Sequence, residues 1–142
     1  MNQAYKYIAL CPEAVLPEPG SSMPYKAIIW IESPSTAQWR EAVCYWLVKS
    51  GCLYALCVGT DCEIWHDLID ETLLEEFGWQ GIPDDRSIMT TWHTEETLGQ
   101  VYEFAQLHAR HPAVALDGLS ILHITEKVMP PELLAAALAN CA

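Results

Sequence analysis

Apolar positions along this chain group into short β-rich runs separated by stretches with a helical repeat. Ala27-Ile28-Ile29-Trp30-Ile31 is continuously apolar and rich in β-branched and aromatic residues, as a strand buried on both faces requires. Trp39, Val43, Trp46 and Leu47 then fall at i, i+4, i+7 and i+8, the spacing of one helix face. Ser35 with Gln38 offers a capping box before that helix, and Gly51 ends it. Cys52 to Val58 is a second buried strand. Thr60 or Asp61 caps the next helix, whose apolar set is Ile64, Trp65, Leu68 and Ile69. Thr72 with Glu75 provides another cap signal, which would split this region in two. Ile88 to Trp92 is a third strand. Thr94 caps a long helix with Glu95 and Glu96 in its first turn, where carboxylates suit the helix dipole. Leu98, Val101, Ala105 and His108 mark its inner face, and His111-Pro112 ends it. Leu119 to Thr125 is a fourth strand, and Pro130-Pro131 opens a last helix carrying Leu133, Leu134, Ala137 and Leu138.

Strand and helix alternate four times, which predicts a three-layer α/β sandwich with about four parallel strands, flavodoxin-like or Rossmann-like. Residues 1–26 read as a lead-in, because Pro12, Pro17, Pro19 and Pro24 with Gly20-Ser21-Ser22 exclude a long helix. Tyr5 to Leu10 is the one segment there suited to an edge strand. Residues 27–142 then form a single α/β domain. Counting from the strand at Ala27, the expected strand order is 2-1-3-4, with a topological switch point between the first and third strands.

The charge changes the picture most. The chain carries 19 acidic and 7 basic residues, a net charge of -12. Such a chain repels phosphate backbones and anionic membrane surfaces, so neither nucleic acid nor membrane is expected as a partner. A basic protein is the partner that charge favours; the oligomeric state is left open. Eleven of the acids lie between Asp61 and Glu96, offset only by Arg86. A solvated face that keeps the chain soluble is the plain reading of such a run. The sharper reading is a docking surface around Glu75, Glu76, Asp84 and Asp85, with Trp65 and Trp79 as aromatic anchors. No leader is evident at the N-terminus and no apolar run approaches the roughly 20 residues of a membrane span, so a cytoplasmic location with reduced thiols is expected.

Candidate chemistry gathers where strands end. Glu32-Ser33, Asp61-Cys62 and His93-Thr94 each follow a predicted strand, and ligands of parallel α/β sheets bind outside the carboxyl ends of the strands. Cys62 at a helix start, His93, and Asp61 or Glu32 to orient the imidazole would make a nucleophilic Cys–His site. The surrounding carboxylates work against a thiolate there. Cys52 and Cys57, five apart in one strand, should point to opposite faces, and no paired C-x-x-C spacing supports structural zinc. His66 and Asp70 stand one turn apart but reach too few ligands for a metal. No dinucleotide fingerprint, P-loop or nucleophile elbow is present, so no cofactor or metal is expected.

The strings Gly51-Cys52-Leu53-Tyr54, Gly59-Thr60-Asp61-Cys62, Ile82-Pro83-Asp84-Asp85-Arg86 and Met89-Thr90-Thr91-Trp92-His93 resemble a family of small bacterial proteins known only as a domain of unknown function. The resemblance covers about residues 24–128. It implies a bacterial α/β domain and carries no activity or site residue with it. The expected function is therefore a non-enzymatic acidic interaction or regulatory domain, of adaptor or immunity type. The alternative is a small enzyme or ligand-binding protein using Cys62, His93, Asp61 and Glu32.

Overall fold

A computed structural model describes residues 4–19, 23–78 and 80–141. Five strands form one parallel sheet: β1 (Lys6–Leu10), β2 (Tyr25–Ile31), β3 (Cys52–Gly59), β4 (Met89–His93) and β5 (Gly118–Ile124), in the order β1-β5-β2-β3-β4. Four helices connect them: α1 (Ala37–Ser50), α2 (Cys62–Glu76), α3 (Leu98–Leu107) and α4 (Pro131–Ala139). To the four strands that follow it is added the edge strand expected at Tyr5 to Leu10: Lys6–Leu10 is a full member of the sheet, paired in register with Ser120–Ile124. The lead-in thus contributes an edge strand, and β2 starts at Tyr25 rather than Ala27.

Side-chain alternation divides the core into two layers. Ala27, Ile29 and Ile31 pack with α1 and α2, while Ile28 packs with α3 and α4 on the opposite face. The outcome is a three-layer α/β/α sandwich with the central strands β2 and β3 buried on both sides, as their continuous apolar runs require. The strand order differs from the expected one. From β2 the chain steps outward to β3 and β4, and then α3 carries it back past β2 to β5. The loops after β2 and β5 leave toward opposite faces, so the switch point lies between those two strands.

One irregularity reverses a prediction about the cysteines. Tyr25 pairs with Cys52, but the next pair is Lys26 with Tyr54, so Leu53 is an extra residue in β3. Such a bulge shifts the parity of the strand. Cys52 and Cys57 therefore share one face, together with Cys44 and Cys62, in the core beneath α1 and α2. Burial pushes the Cys52 thiol up to about 12 and the Cys44 and Cys57 thiols well above the ordinary cysteine range, which leaves them protonated packing groups.

The starts of α1 and α3 are set by threonines one and three residues beyond the predicted caps. Thr36, not Ser35, caps α1 by accepting the Trp39 N–H at 3.2 Å. Thr97, not Thr94, caps α3 in a reciprocal capping box with Gln100. α2 is continuous, because the Thr72 hydroxyl donates to the Leu68 carbonyl within the helix instead of capping a new one. Among the described residues no helix is long and apolar enough to cross a membrane.

Candidate functional site

The carboxyl edge of the sheet is the first place to examine. At the switch point, Glu32 follows β2 and meets His123 of β5, with Oε1 to Nε2 at 2.5 Å. His123 is 1% exposed. Its Nδ1 lies 2.7 Å from the Tyr7 hydroxyl, which also accepts the Met129 backbone N–H at 3.1 Å. Trp30 stacks flat on the imidazole, ring centroids 3.6 Å apart. The Met129–Tyr7–His123–Glu32 hydrogen bonds are all made if Tyr7 donates to Nδ1 and the ring donates from Nε2 to Glu32. That arrangement is the neutral imidazole. Burial pulls the His123 pKa below its usual value, against the opposing pull of Glu32.

This edge is tied together by backbone. Glu32 and Ser33 donate their N–H groups to the Ile124 carbonyl, Thr60 donates to Ile31, and Thr125 donates to Leu10. Gly59, at φ +103°, allows that approach, since a Cβ there would collide with the Ile31 carbonyl oxygen. The strand ends are hydrogen-bonded past their last residues, leaving Glu32 as the exposed acid over a satisfied network.

The Cys–His constellation is not assembled. His93 is buried, with Nε2 2.8 Å from the Thr91 hydroxyl and Nδ1 2.6 Å from Glu96. Both ring nitrogens are thus engaged, and the ring packs on Phe104 of α3. Cys62 is buried on the other side of the sheet, in the α1–α2 core, with the Thr94 hydroxyl 4.0 Å from its sulfur. Asp61 is exposed at a left-handed φ of 56° and makes no side-chain cap. Glu32 serves His123 rather than His93. Among the described residues no group of three or more His, Cys, Asp or Glu is placed to hold a metal ion.

The acidic surface is the more developed feature, with different residues at its centre than the sequence suggested. Trp65 is not a surface anchor. It is 1% exposed and meets Trp39 edge-on at 6.5 Å, inside the α1–α2 core. Trp79 lies outside the described residues. Glu76 is engaged by Lys49 at 2.6 Å, whereas Glu75, Asp84 and Asp85 are exposed. The exposed indole in this region is Trp92, 45% accessible, with Met89 and Ile64 also exposed. β4 is the outer strand of the sheet, and α2 packs beside it. His66 of α2 packs on Trp92 at a tilt, with centroids 4.5 Å apart, and faces Asp67 at 2.9 Å and Asp70 at 3.6 Å. The Thr90 hydroxyl donates to Asp70 at 2.7 Å.

Down the outer face of α2, exposed Glu63, Asp67, Glu71 and Glu75 follow each other at intervals of four. Like charges at this spacing repel by about 0.2–0.5 kcal/mol per pair. α2 contains no lysine or arginine to offset them. The stripe was visible in the sequence as an i, i+4 repeat. Trp92 was not, because its exposure depends on β4 being an edge strand.

No curated protein and no solved structure matches the chain. A comparison with protein families matches residues 5–141, a longer span than the 24–128 that carried the resemblance, and it takes in β1 and α4. Over nearly its whole length, then, the chain belongs to the family described as Domain of unknown function (DUF7684).

Proposed function

We propose that this chain is a non-enzymatic interaction domain, of adaptor or immunity type, whose α2–β4 surface docks a basic segment of a protein partner. The observation that carries this reading is Trp92. A large indole stands 45% exposed on the outermost strand, in contact with His66, which in turn faces Asp67 and Asp70. An aromatic anchor within a rim of one charge sign is the anatomy of a binding hot spot, and a lysine or arginine over the ring gains both the ring face and the carboxylates. The Glu63–Asp67–Glu71–Glu75 stripe adds a field that speeds encounter with a cation-rich surface. Self-repulsion along α2 would be relieved by that partner. In this reading the chain works in the cytoplasm of a bacterium, where its free cysteines stay reduced.

The test is an NMR titration with a synthetic peptide of alternating Lys and Val, about nine residues long, enough to span a strand. The expected result is saturable binding that shifts the Trp92 indole N–H and weakens about tenfold between roughly 50 and 300 mM salt. Asp67→Asn with Asp70→Asn should weaken it as well. Binding that leaves Trp92 unshifted, or that ignores salt and these substitutions, removes the docking surface.

A further inference from the structure

We infer that the basic segment binds as an added β-strand along the open edge of β4, an inference that rests on the docking surface proposed above. An edge strand exposes a row of unpaired N–H and C=O groups, and proteins ordinarily guard it with proline, lysine, a bulge or a covering element. β4 has none of the first three. Its sequence, Met89-Thr90-Thr91-Trp92-His93, holds neither proline nor lysine. Its register with β3 runs without a shift from Tyr54–Met89 to Val58–His93. Among the described residues no backbone other than that of β3 pairs with it. The opposite edge strand, β1, begins instead on an exposed lysine, Lys6.

What keeps β4 from pairing with itself is charge. Two copies joined edge to edge would bring two α2 acidic stripes and two sets of Asp67, Asp70, Glu95 and Glu96 toward one another. Between residues 50 and 109 Arg86 is the only lysine or arginine. A second copy therefore supplies repulsion, and the occupant that fits is a foreign extended segment carrying cations. The same acids that exclude self-pairing select the partner.

The alternation of side chains on a strand narrows the motif. Trp92 and Thr90 project toward α2, where they meet His66 and Asp70. Thr91 and His93 occupy the other face, where His93 packs on Phe104 and pairs with Glu96. On an added strand, every second residue lies over Trp92, Asp67 and Asp70, and those are the lysine or arginine positions. The residues between them lie beside Met89 and Thr91, where β-branched side chains fit. The predicted ligand is thus an extended segment with Lys or Arg at alternate positions, held by ladder hydrogen bonds and oriented by charge.

The experiment compares the alternating Lys/Val peptide with the same peptide N-methylated at its central residues, which keeps the charge and removes the ladder donors. Amide hydrogen exchange across residues 89–93 of the full chain and the affinity of each peptide are measured. The expected result is at least about tenfold slower exchange within β4 with the parent peptide, and at least about tenfold weaker binding of the methylated one. Equal affinities without protection of β4, while both peptides still shift Trp92 and respond to salt, overturn strand addition and leave the docking surface standing. If neither peptide shifts Trp92, both readings fall.

Discussion

Replacing Trp65 and Trp92 by alanine, one at a time, separates core from surface in this molecule. Trp65 is 1% exposed, so its removal returns almost the whole aromatic contribution. An aromatic side chain buries about 150–250 Å², worth about 4–6 kcal/mol at 25 cal/mol per Å², and alanine retains part of that. The expected loss is about 3–5 kcal/mol, including the cavity left against Trp39. For a chain of 142 residues the unfolding entropy near the midpoint is about 0.3 kcal/mol per degree, so Tm should fall by roughly 10–16 °C. Trp92, 45% exposed, leaves no closed cavity and gives up chiefly its contact with His66. Its loss should be about 1–2 kcal/mol, or roughly 3–6 °C. Urea unfolding followed by circular dichroism gives both values, with unchanged m confirming a common unfolded state. A Trp65→Ala cost below about 1.5 kcal/mol, or a Trp92→Ala cost equal to that of Trp65→Ala, would refute the assignment of Trp65 to the core and Trp92 to the surface.

Three further outcomes follow from the same geometry. Because burial lowers the His123 pKa, the unfolded chain binds the extra proton as pH drops below the ordinary 6.5, so stability is full above that value and declines beneath it; urea midpoints at mildly acidic and neutral pH should differ more for the native chain than for His123→Gln, and equal differences would contradict this. Both Gly59 and Gly81 have a positive φ, so Gly59→Ala should cost about 2–4 kcal/mol because the collision with Ile31 adds to that strain, whereas Gly81→Ala, with nothing within 4 Å, should cost only about 1 kcal/mol; equal thermal shifts for the two would remove the collision argument. Of the six cysteines, exposed Cys11 and Cys141 should react quickly with a disulfide reagent in the native state and the other four only after unfolding; rapid native reaction of Cys62 would revive the nucleophile reading.

The layers and most of the elements were legible because periodicity reports burial directly. The continuous apolar runs of β2 and β3 announced strands covered on both faces, and Trp39, Val43 and Leu47 announced the inner face of α1. What local pattern could not supply was pairing. Strand order depends on α3 returning the chain past β2, and neither the exposure of Trp92 nor the meeting of Glu32 with His123 follows without it. The bulge at Leu53 is likewise a pairing event, and it turned Cys52 to the face opposite the one alternation predicted. Trp65 satisfied the apolar set of α2 and the description of a binding aromatic equally well. Only its position over the sheet, against Trp39, decides between them. The placement of the Cys–His pair depends on pairing in the same way: Cys62 and His93 share a sheet edge but belong to opposite faces.

In the proposed function, the exposed indole of Trp92 on the outer strand is where this domain meets a basic partner. The most direct measurement is the affinity of the alternating Lys/Val peptide for the native chain and for Trp92→Ala, side by side at low salt, with circular dichroism confirming that both are folded. The expected result is binding to the native chain and at least about tenfold weaker binding to the variant, a loss of about 1.4 kcal/mol or more. Equal affinity for the two folded proteins, or no binding to either, would contradict it.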